Sequence, residues 1–285
     1  MGFIKISNLV KEYPKFRLGP INLNLDNGKI IGLIGINGSG KTTLIKSILN
    51  LVNINSGRIE VFEDDILNKN ERKIKNELGI VLDSAYYYSG LSIKDTAKIY
   101  GEIYSTWSNE LFIKYCKEFG LDLSKKIDEL SKGMKMKLSV AIAISKESKG
   151  LIMDEPTGGL DPLVRKDILK KIKGYVTEND ASLLFSTHIT SDLDNIADEI
   201  ILLHSGKIMF YGNKSDFKKM YMKVTFNKDR ISDNIIGIQK IESDTYVGFV
   251  KNEEASDFDN CSECTIEEVM LLIIEGEKKQ WEHIL

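Results

Sequence analysis

Cysteines and long apolar runs are scarce in this sequence of 285 residues. It has three cysteines, too few for a framework of several disulfides, so a reducing cytosol is the expected compartment. The apolar runs at residues 140–144 and 269–274 are far shorter than the roughly 20 residues that a helix needs to cross a bilayer. Residues 1–5 also lack the long apolar segment of a secretory signal. Any role at a membrane is therefore expected to depend on a partner protein.

The sequence also lacks a strong excess of charge of either sign. Its 39 Lys and Arg residues against 42 Asp and Glu residues give a formal net charge of -3, which argues against a protein that wraps nucleic acid with a broad basic face. With 42% hydrophobic and 28% charged residues, the composition is that of a globular protein. The length allows one large domain and a smaller appendage. The pair Cys261 and Cys264 has no second pair and no histidine at ligand spacing, so two ordinary thiols are expected.

Three glycines, a lysine and a threonine follow the aliphatic run of residues 30–34. Residues 35–42 read Gly-Ile-Asn-Gly-Ser-Gly-Lys-Thr, and a helical pattern begins immediately afterwards. A buried strand, a glycine-rich turn and a helix start are the context that the phosphate-loop motif requires. Glycines let the backbone curl so that successive N–H groups point at phosphate oxygens. The alternative interpretation is a glycine loop that arose by chance and binds no phosphate. The nucleotide-binding residues predicted from this stretch are Gly35, Asn37, Gly38, Ser39, Gly40, Lys41, Thr42 and Thr43.

The acidic element that a phosphate loop needs occurs at residues 149–156, where a short apolar strand ends in Asp154 and Glu155. Lys41 is predicted to place its charge between the β- and γ-phosphates, and the Thr42 hydroxyl and Asp154 to hold Mg²⁺. Glu155 is predicted to accept a proton from the water that attacks the γ-phosphate. Alone, this stretch is equally a strand followed by an acidic turn. Together with the phosphate loop, it predicts a nucleotide-hydrolysing site.

Three further motifs occur in a characteristic order. Residues 130–134 read Leu-Ser-Lys-Gly-Met, residues 158–161 read Gly-Gly-Leu-Asp, residues 186–188 read Ser-Thr-His, and Tyr13 precedes the first strand pair. This order, over roughly the first three quarters of the chain, resembles the ATP-binding cassette (ABC) family, specifically the ATPase subunits of transporters. The resemblance implies an α/β fold with a P-loop NTPase core of ABC type, and ATP and Mg²⁺ as its ligands.

The resemblance also implies roles for single residues. Tyr13 is similar to the aromatic residue on which adenine stacks, although a lone tyrosine is more often a core or surface residue. Ser131 and Gly133 resemble the signature loop that closes over the γ-phosphate held by a second copy, which implies a head-to-tail pair burying two ATP molecules. His188 resembles the histidine that touches the γ-phosphate and the water-activating carboxylate, or else is a turn histidine. Asp161 resembles the residue that communicates across the dimer, and it also fits a helix N-cap.

Two positions depart from the family pattern. Asp83 stands where a glutamine usually follows the mid-domain strand; a carboxylate still ligates Mg²⁺ through oxygen but donates no amide hydrogen bond, and a surface turn is the alternative. Lys132 and Met134 stand where glycine and glutamine are usual. Lys132 either adds a charge near the partner's phosphate or points to solvent, and Met134 removes a polar contact. Such substitutions are similar to those of single-cassette subunits of bacterial exporters.

The expected architecture has two domains. Residues 1–218 are predicted to form the ABC nucleotide-binding domain, with an antiparallel β edge from the N-terminal segments and an inserted helical subdomain at about 86–148. Residues 219–285 are predicted to form a small C-terminal α+β extension. The aromatic residues 86–88 open the insert and are expected to touch a short cytoplasmic helix of a membrane subunit, with a plain packing role as the alternative. The helical spacing of apolar residues in the insert is carried by Ile99, Ile103, Leu111, Tyr115 and Phe119.

The predicted function is therefore that of the ATP-binding and ATP-hydrolysing subunit of an ABC transporter. It is expected to pair with a second ATP-binding subunit, identical or a sister chain, and to act on separate integral membrane permease subunits, with export favoured. It is expected in the cytoplasm, peripheral on the inner face of the cell membrane, with no nucleic acid partner. One alternative is a non-transport ABC ATPase that acts in translation or DNA maintenance. A second alternative is a small-molecule kinase, but that function would give residues 130–133 no role.

Overall fold

The computed structural model describes residues 2–66, 71–83, 90–232, 234–242 and 244–282, with side chains to residue 276. By its internal contacts the chain divides into two units, Met1–Ile208 and Met209–Leu285. This division falls between Ile208 and Met209, inside the strand Lys207–Asn213. The domain boundary after residue 218, which was inferred from the change in sequence pattern, stays a prediction. The predicted contact at residues 86–88 lies outside the described residues.

The first unit combines sheets and helices in the following order. Its elements are β1 (Gly2–Tyr13), β2 (Phe16–Asp26), β3 (Ile30–Ile34), α1 (Lys41–Ile48), β4 (Ser56–Val61), β5 (Asp64–Asp65), α2 (Glu71–Glu77), β6 (Leu78–Val81), α3 (Ile93–Ile103), α4 (Asn109–Glu118), α5 (Lys132–Ile144), β7 (Gly150–Asp154), α6 (Pro162–Glu178), β8 (Ser182–Thr187), α7 (Thr190–Ile196), β9 (Glu199–His204) and the start of β10 (Lys207–Asn213).

The nucleotide site is built on a parallel sheet in the first unit. The strands β9, β3, β8, β7 and β6 are neighbours in that order, and each of these pairs is parallel. Every residue of β3, β7 and β8 is buried, as expected for strands covered on both faces. Because the carboxyl ends of parallel strands meet at one edge of a sheet, the loops after these three strands converge.

The N-terminal strands form a sheet of their own, with the order β2-β1-β4-β5 and antiparallel pairing throughout. β2 alternates buried and exposed residues because one face packs on the core and the other meets solvent. The predicted antiparallel edge is therefore a separate four-stranded sheet. It ends in the turn between Tyr13 and Phe16, which are paired across the hairpin.

The inserted segment is helical, as the sequence predicted, but its apolar residues divide differently. Phe112, Tyr115, Cys116 and Phe119 are buried, and α4 packs against α5. Ile99 and Ile103 were expected on the same apolar face, yet their exposed fractions are 37% and 54%. The buried side of α3 carries Ile93, Thr96 and Ala97 instead, so the four-residue spacing of Ile99 and Ile103 marks its outer face.

The second unit has its own core. It contains the rest of β10, then α8 (Lys214–Lys218), β11 (Tyr221–Asn227), β12 (Ile236–Lys240), β13 (Thr245–Lys251), β14 (Asn260–Glu263) and α9 (Ile266–Glu282). The sheet is antiparallel with the order β12-β13-β11-β14. The buried residues Val224, Phe226, Ile235 and Val250 form the hydrophobic core of this unit. These elements make the predicted α+β extension.

Candidate nucleotide site

The phosphate loop connects β3 to α1 and is shaped by three glycines. Gly38 and Gly40 have φ angles of 80° and 110°, a left-handed backbone that glycine adopts without steric cost. A Cβ on Gly35 would lie 2.2 Å from the carbonyl oxygen of Leu203. The loop therefore needs glycine at Gly35 for close packing and at the other two positions for its curl.

The loop has the chemistry of an anion cradle. Ser39 is 2% exposed, and its Oγ has no hydrogen-bond partner among the described residues. No atom of the residues that the structure describes lies within 4 Å of the position that a Cβ on Gly38 would take, so the loop has open space beside it. Thr42 and Thr43 lie in the first turn of α1, where backbone N–H groups are free to meet an anion. An orphaned buried hydroxyl beside an open helix N-terminus fits a bound phosphate group.

Lys41 is 7% exposed and is held by main-chain carbonyls and a carboxylate. Its Nζ donates to the carbonyl oxygen of Gly35 at 2.7 Å and lies 3.7 Å from Glu155 Oε1. Burial lowers the pKa of the Lys41 ammonium from its ordinary value, and the Glu155 and Asp154 carboxylates oppose that change. The ammonium is therefore poorly solvated, and phosphate oxygens would replace carbonyl oxygens as its acceptors.

Asp154 and Glu155 are fixed at the end of β7 by the neighbouring strand. Ser186 in β8 donates its hydroxyl to Asp154 Oδ1 at 2.6 Å and accepts the Glu155 backbone N–H at 2.9 Å. Asp154 is 2% exposed, whereas the Glu155 side chain reaches the pocket. Glu155 has a φ of 50°, uncommon for a residue with a Cβ, so its position is imposed by the surroundings.

His188 follows β8 and contacts the same glutamate. Its Nδ1 lies 2.7 Å from Glu155 Oε2, and since an ionised carboxylate only accepts, Nδ1 carries the proton in this contact. The side chain is 48% exposed and lines the pocket. The structure thus places Glu155 between Lys41 and His188, and the catalytic roles of these three residues stay predictions.

Lys41, Glu155 and His188 line one pocket of about 830 Å³. Its wall contains the phosphate loop from Asn37 to Thr43, together with Asp83, Glu155 and His188. Four further groups were not expected from the sequence: Lys15, Phe16, the side chain of Lys132, and the glycine pair at residues 158–159. The glycine pair and Lys132 had been quoted as parts of motifs, but not as parts of this pocket, whereas Lys15 and Phe16 had not been quoted. The turn after β1 brings Lys15 and Phe16 here, and the start of α5 brings Lys132.

Among the described residues, Tyr13 is not part of that wall. Its ring is 43% exposed, with the Lys11 Nζ 4.8 Å from its centre. Phe16, its partner across the hairpin, packs on the loop, where a Cβ on Gly40 would lie 2.7 Å from its ring. Adenine stacking on Tyr13 therefore stays a prediction, and Phe16 is a second aromatic residue beside the nucleotide pocket.

Thr42, Asp154 and Asp83 offer the hard oxygen ligands that suit Mg²⁺. Within the described parts of the chain, no group of three or more His, Cys, Asp or Glu side chains could hold a metal on its own. Mg²⁺ usually takes one or two carboxylates and completes its octahedron with waters and substrate phosphates, so a hydroxyl and two carboxylates beside a phosphate loop fit it. Asp83 is exposed and lies on the pocket wall, as its predicted role requires.

The signature loop lies at the start of α5. Ser131 caps this helix by accepting the Met134 N–H at 3.3 Å, and Asp161 caps α6 by accepting the N–H groups of Leu163 and Val164. Ser131, Gly133 and Asp161 line a depression of about 320 Å³ next to the nucleotide pocket. The N-cap role open to Asp161 is confirmed by these bonds, and its role across a dimer stays a prediction.

A buried ion pair beside the site had no sequence signal. Asp192 in α7 is 1% exposed, accepts from Arg165 Nη2 at 2.7 Å, and accepts from the Thr157 hydroxyl at 2.5 Å. Thr157 belongs to the loop after Glu155, and Asp192 follows His188 by four residues. Asp192 therefore connects α7, which begins two residues after His188, to α6 and to the loop between Glu155 and Asp161.

The chain is similar in sequence and in fold to known proteins. A family model described as ABC transporter matches residues 18–158. The bacitracin transport ATP-binding protein BcrA of Bacillus licheniformis is 31% identical over 209 residues, 72% of this chain and 68% of the relative. The lantibiotic transport ATP-binding protein SrtF of Streptococcus pyogenes is 31% identical over 234 residues, 80% of this chain and 100% of the relative. The chain belongs to the ABC transporter family.

A solved structure titled as the ATP binding subunit of an ABC transporter superposes on this ABC transporter chain with a TM-score of 0.68 at 26% identity, covering 76% of this chain and 92% of the other. The predicted family, the α/β P-loop fold of ABC type and the function of an ATP-hydrolysing transport subunit are confirmed. Among the described helices, none combines the length and the apolar composition that crossing a membrane requires.

Proposed function

We propose that this ABC transporter chain is the cytoplasmic ATPase subunit of an exporter, that it dimerises on ATP, and that it drives separate membrane permeases from the inner face of the membrane. The observation that carries the proposal is the position of Glu155, whose two carboxylate oxygens face Lys41 and His188 in the phosphate pocket. Two relatives are named as bacitracin transport and lantibiotic transport ATP-binding proteins, and these names support export as the direction of transport. The exposed Ile99 and Ile103 on α3 support a protein partner beside the helical insert.

The geometry supports a defined chemical step. When a triphosphate enters, the Lys41 ammonium exchanges both the Gly35 carbonyl and the Glu155 carboxylate for phosphate oxygens, which frees Glu155 Oε1. Glu155 accepts a proton from water as the water oxygen bonds to the γ-phosphorus and the bond to the bridging β-phosphate oxygen breaks, leaving ADP and phosphate. His188 holds Glu155 in place through Nδ1–H. Thr42, Asp154 and Asp83 would hold Mg²⁺, which would add positive charge beside the phosphates.

The open side of the pocket supports the pairing of two subunits. Ser131 and Gly133 lie outside the wall of their own phosphate pocket, so they are available to the nucleotide of a second copy. Closing of the pair on ATP and its release after hydrolysis would supply the motion that the permeases use.

Glu155→Gln tests both the catalytic and the dimer proposals. Removing the base while keeping the side chain's size is expected to lower ATP hydrolysis about 100- to 10,000-fold and to leave an ATP-bound dimer. Phosphate release measures the first effect, and light scattering with and without saturating MgATP measures the second. Glu178→Gln, an exposed position at the end of α6, is the matched control and should behave as wild type.

The two readouts separate the claims. Hydrolysis at the wild-type rate would remove Glu155 from the chemical step. A variant that binds ATP but stays monomeric would contradict the sandwich arrangement of two subunits. The transport role is tested by co-purification, in which a multi-helix membrane protein is expected to accompany the chain from detergent-solubilised cells, whereas ATP-dependent association with ribosomes or DNA would contradict it.

A further inference from the structure

Asp192 in α7 is a buried carboxylate that bonds to side chains from two other segments of the first unit. Its exposed fraction is 1%. Oδ2 accepts the Thr157 hydroxyl at 2.5 Å, and Oδ1 accepts a hydrogen bond from Arg165 Nη2 at 2.7 Å. An ionised carboxylate is costly to bury unless both of its oxygens have such partners. Loss of either partner would therefore leave the Asp192 charge poorly compensated and would favour a different arrangement of these segments.

Both partners of this carboxylate lie close in sequence to residues of the proposed site. Thr157 follows Glu155 by two residues, and in the same loop the Gly158 N–H donates to the Glu155 carbonyl oxygen at 3.0 Å. Arg165 lies near the start of α6, and its backbone N–H donates to the Asp161 carbonyl oxygen at 3.0 Å. The two side-chain bonds therefore reach the loop that begins at Glu155 and the helix start that Asp161 caps.

The backbone of Asp192 is bonded to the turn that carries His188. Its N–H donates to the Ile189 carbonyl oxygen at 3.0 Å, and the Ile189 N–H donates to the Thr187 hydroxyl at 2.9 Å. His188 stands between these two residues, and its Nδ1 lies 2.7 Å from Glu155 Oε2. The histidine turn is thus held by Glu155 on one side and by Asp192 on the other.

We propose that Asp192 is a positioning residue for ATP hydrolysis, which holds the His188 turn, the loop after Glu155 and the start of α6 in one arrangement. The proposal rests on the hydrolytic site proposed above and adds a residue that acts on it from outside the pocket. Among the described residues, Asp192, Thr157 and Arg165 do not line the pocket wall. The phosphate loop is formed by other elements, β3 and α1, so nucleotide binding should depend little on Asp192.

A positioning role should appear in kcat rather than in nucleotide affinity. Asp192→Ala removes both side-chain bonds and is expected to lower kcat about 10- to 100-fold, the scale for displacing a catalytic group by about 1 Å. Thr157→Val keeps the side chain's shape but removes the hydroxyl, and it is expected to lower kcat about three- to tenfold because one buried acceptor loses its donor. Thr157→Ser restores the hydroxyl and should keep most of the wild-type kcat.

The experiment measures kcat and KM of the full chain by phosphate release, and the affinity for MgADP by calorimetric titration. Asp167→Asn is the matched control, because it breaks the ion pair with Lys137 on the same helix, α6, away from the three segments. Ile172→Val, buried in α6, is the control for lost stability alone. Circular dichroism identifies the variants that are folded at the assay temperature, and the Thr157 variants decide the outcome where Asp192→Ala is not folded.

The outcomes separate this inference from the function on which it rests. A lower kcat in Thr157→Val with wild-type MgADP affinity, recovered in Thr157→Ser and absent from both controls, supports the proposal. Wild-type kcat in Thr157→Val or in folded Asp192→Ala would overturn it and leave the ATPase site intact. Equal losses of kcat and MgADP affinity, or the same loss of kcat in Ile172→Val, would also overturn it, because the role would then be structural. Failure of the wild-type chain to hydrolyse MgATP would overturn the proposed function itself.

Discussion

Phe16 and Tyr13 are both candidates for the aromatic residue that stacks on adenine, and the two side chains have different contacts. Phe16 packs against Gly40 and lines the phosphate pocket, whereas Tyr13 is exposed at the end of β1. Packing on the loop would shape phosphate binding for any ligand. Stacking of a base would matter only when the ligand carries a base, which gives each residue a separate signature.

We expect Phe16→Ala to weaken binding of both MgATP and tripolyphosphate, because the loop around Gly40 loses its support. Tyr13→Ala is expected to weaken MgATP binding about tenfold, the scale of one base–aromatic stack, and to leave tripolyphosphate unchanged. Titration calorimetry with the two ligands measures both effects. If Tyr13→Ala leaves MgATP affinity unchanged, the exposed ring is a surface residue and the stacking assignment is wrong.

At the scale of elements, Lys146 joins the end of α5 to the region before β6. It is 3% exposed, and its Nζ donates to the carbonyl oxygens of Lys75 and Leu78 at 2.7 and 2.6 Å. The ammonium also lies 3.8 Å from the centre of the Tyr104 ring. Burial lowers the pKa of Lys146 to about 8 from 10.5. The contact therefore places a poorly solvated charge at the junction of the helical insert and the sheet.

This pKa predicts how stability depends on pH. Between about pH 8 and 10.5 the unfolded chain binds more protons at Lys146 than the folded chain, so the free energy of unfolding rises with pH. Lys146→Met removes that contribution. Relative to Lys146→Met, wild type should gain stability across this window, at about 1.4 kcal/mol per unit of pKa difference. Urea unfolding at pH 7.5, 9 and 10.5 measures the difference, and a constant gap between the two proteins would contradict the lowered pKa.

The main elements could be predicted from the sequence because their determinants are local. The aliphatic run before Gly35 and the glycines themselves specify a strand and a curled loop, and Asp154 and Glu155 mark the end of a second strand. Ile99 and Ile103 show where local pattern fails: spacing identifies a helix face but not whether the sheet or a partner covers it.

The remaining contacts could not be predicted because they join residues far apart in the chain. The Asp192 ion pair depends on how α6 and α7 pack, and the place of Lys132 beside Gly159 depends on how α5 meets that loop. Phe16 likewise reaches the pocket only because the first hairpin folds onto the phosphate loop. Such contacts follow from tertiary packing, which neither periodicity nor motif spacing contains.

At the scale of the molecule, two units with separate cores imply two unfolding transitions. The core of the second unit is centred on Phe226, which is 5% exposed and contacts the rings of Tyr246 and Phe258 at centroid distances of 6.2 and 5.9 Å. The nucleotide pocket belongs entirely to the first unit. A ligand and a core mutation should therefore act on different transitions.

We expect Phe226→Ala to lower the free energy of unfolding of the second unit by about 3 to 5 kcal/mol, the usual cost of removing a buried phenylalanine ring. MgADP at 100 times its dissociation constant should stabilise the first unit by about 2.7 kcal/mol, in wild type and in the variant alike. Differential scanning calorimetry resolves the two effects, with Ile238→Ala, a more exposed position on β12, as the control. A single transition whose temperature shifts with both the mutation and the ligand would contradict this prediction. It would mean that the two units unfold together as one cooperative unit although each has its own core.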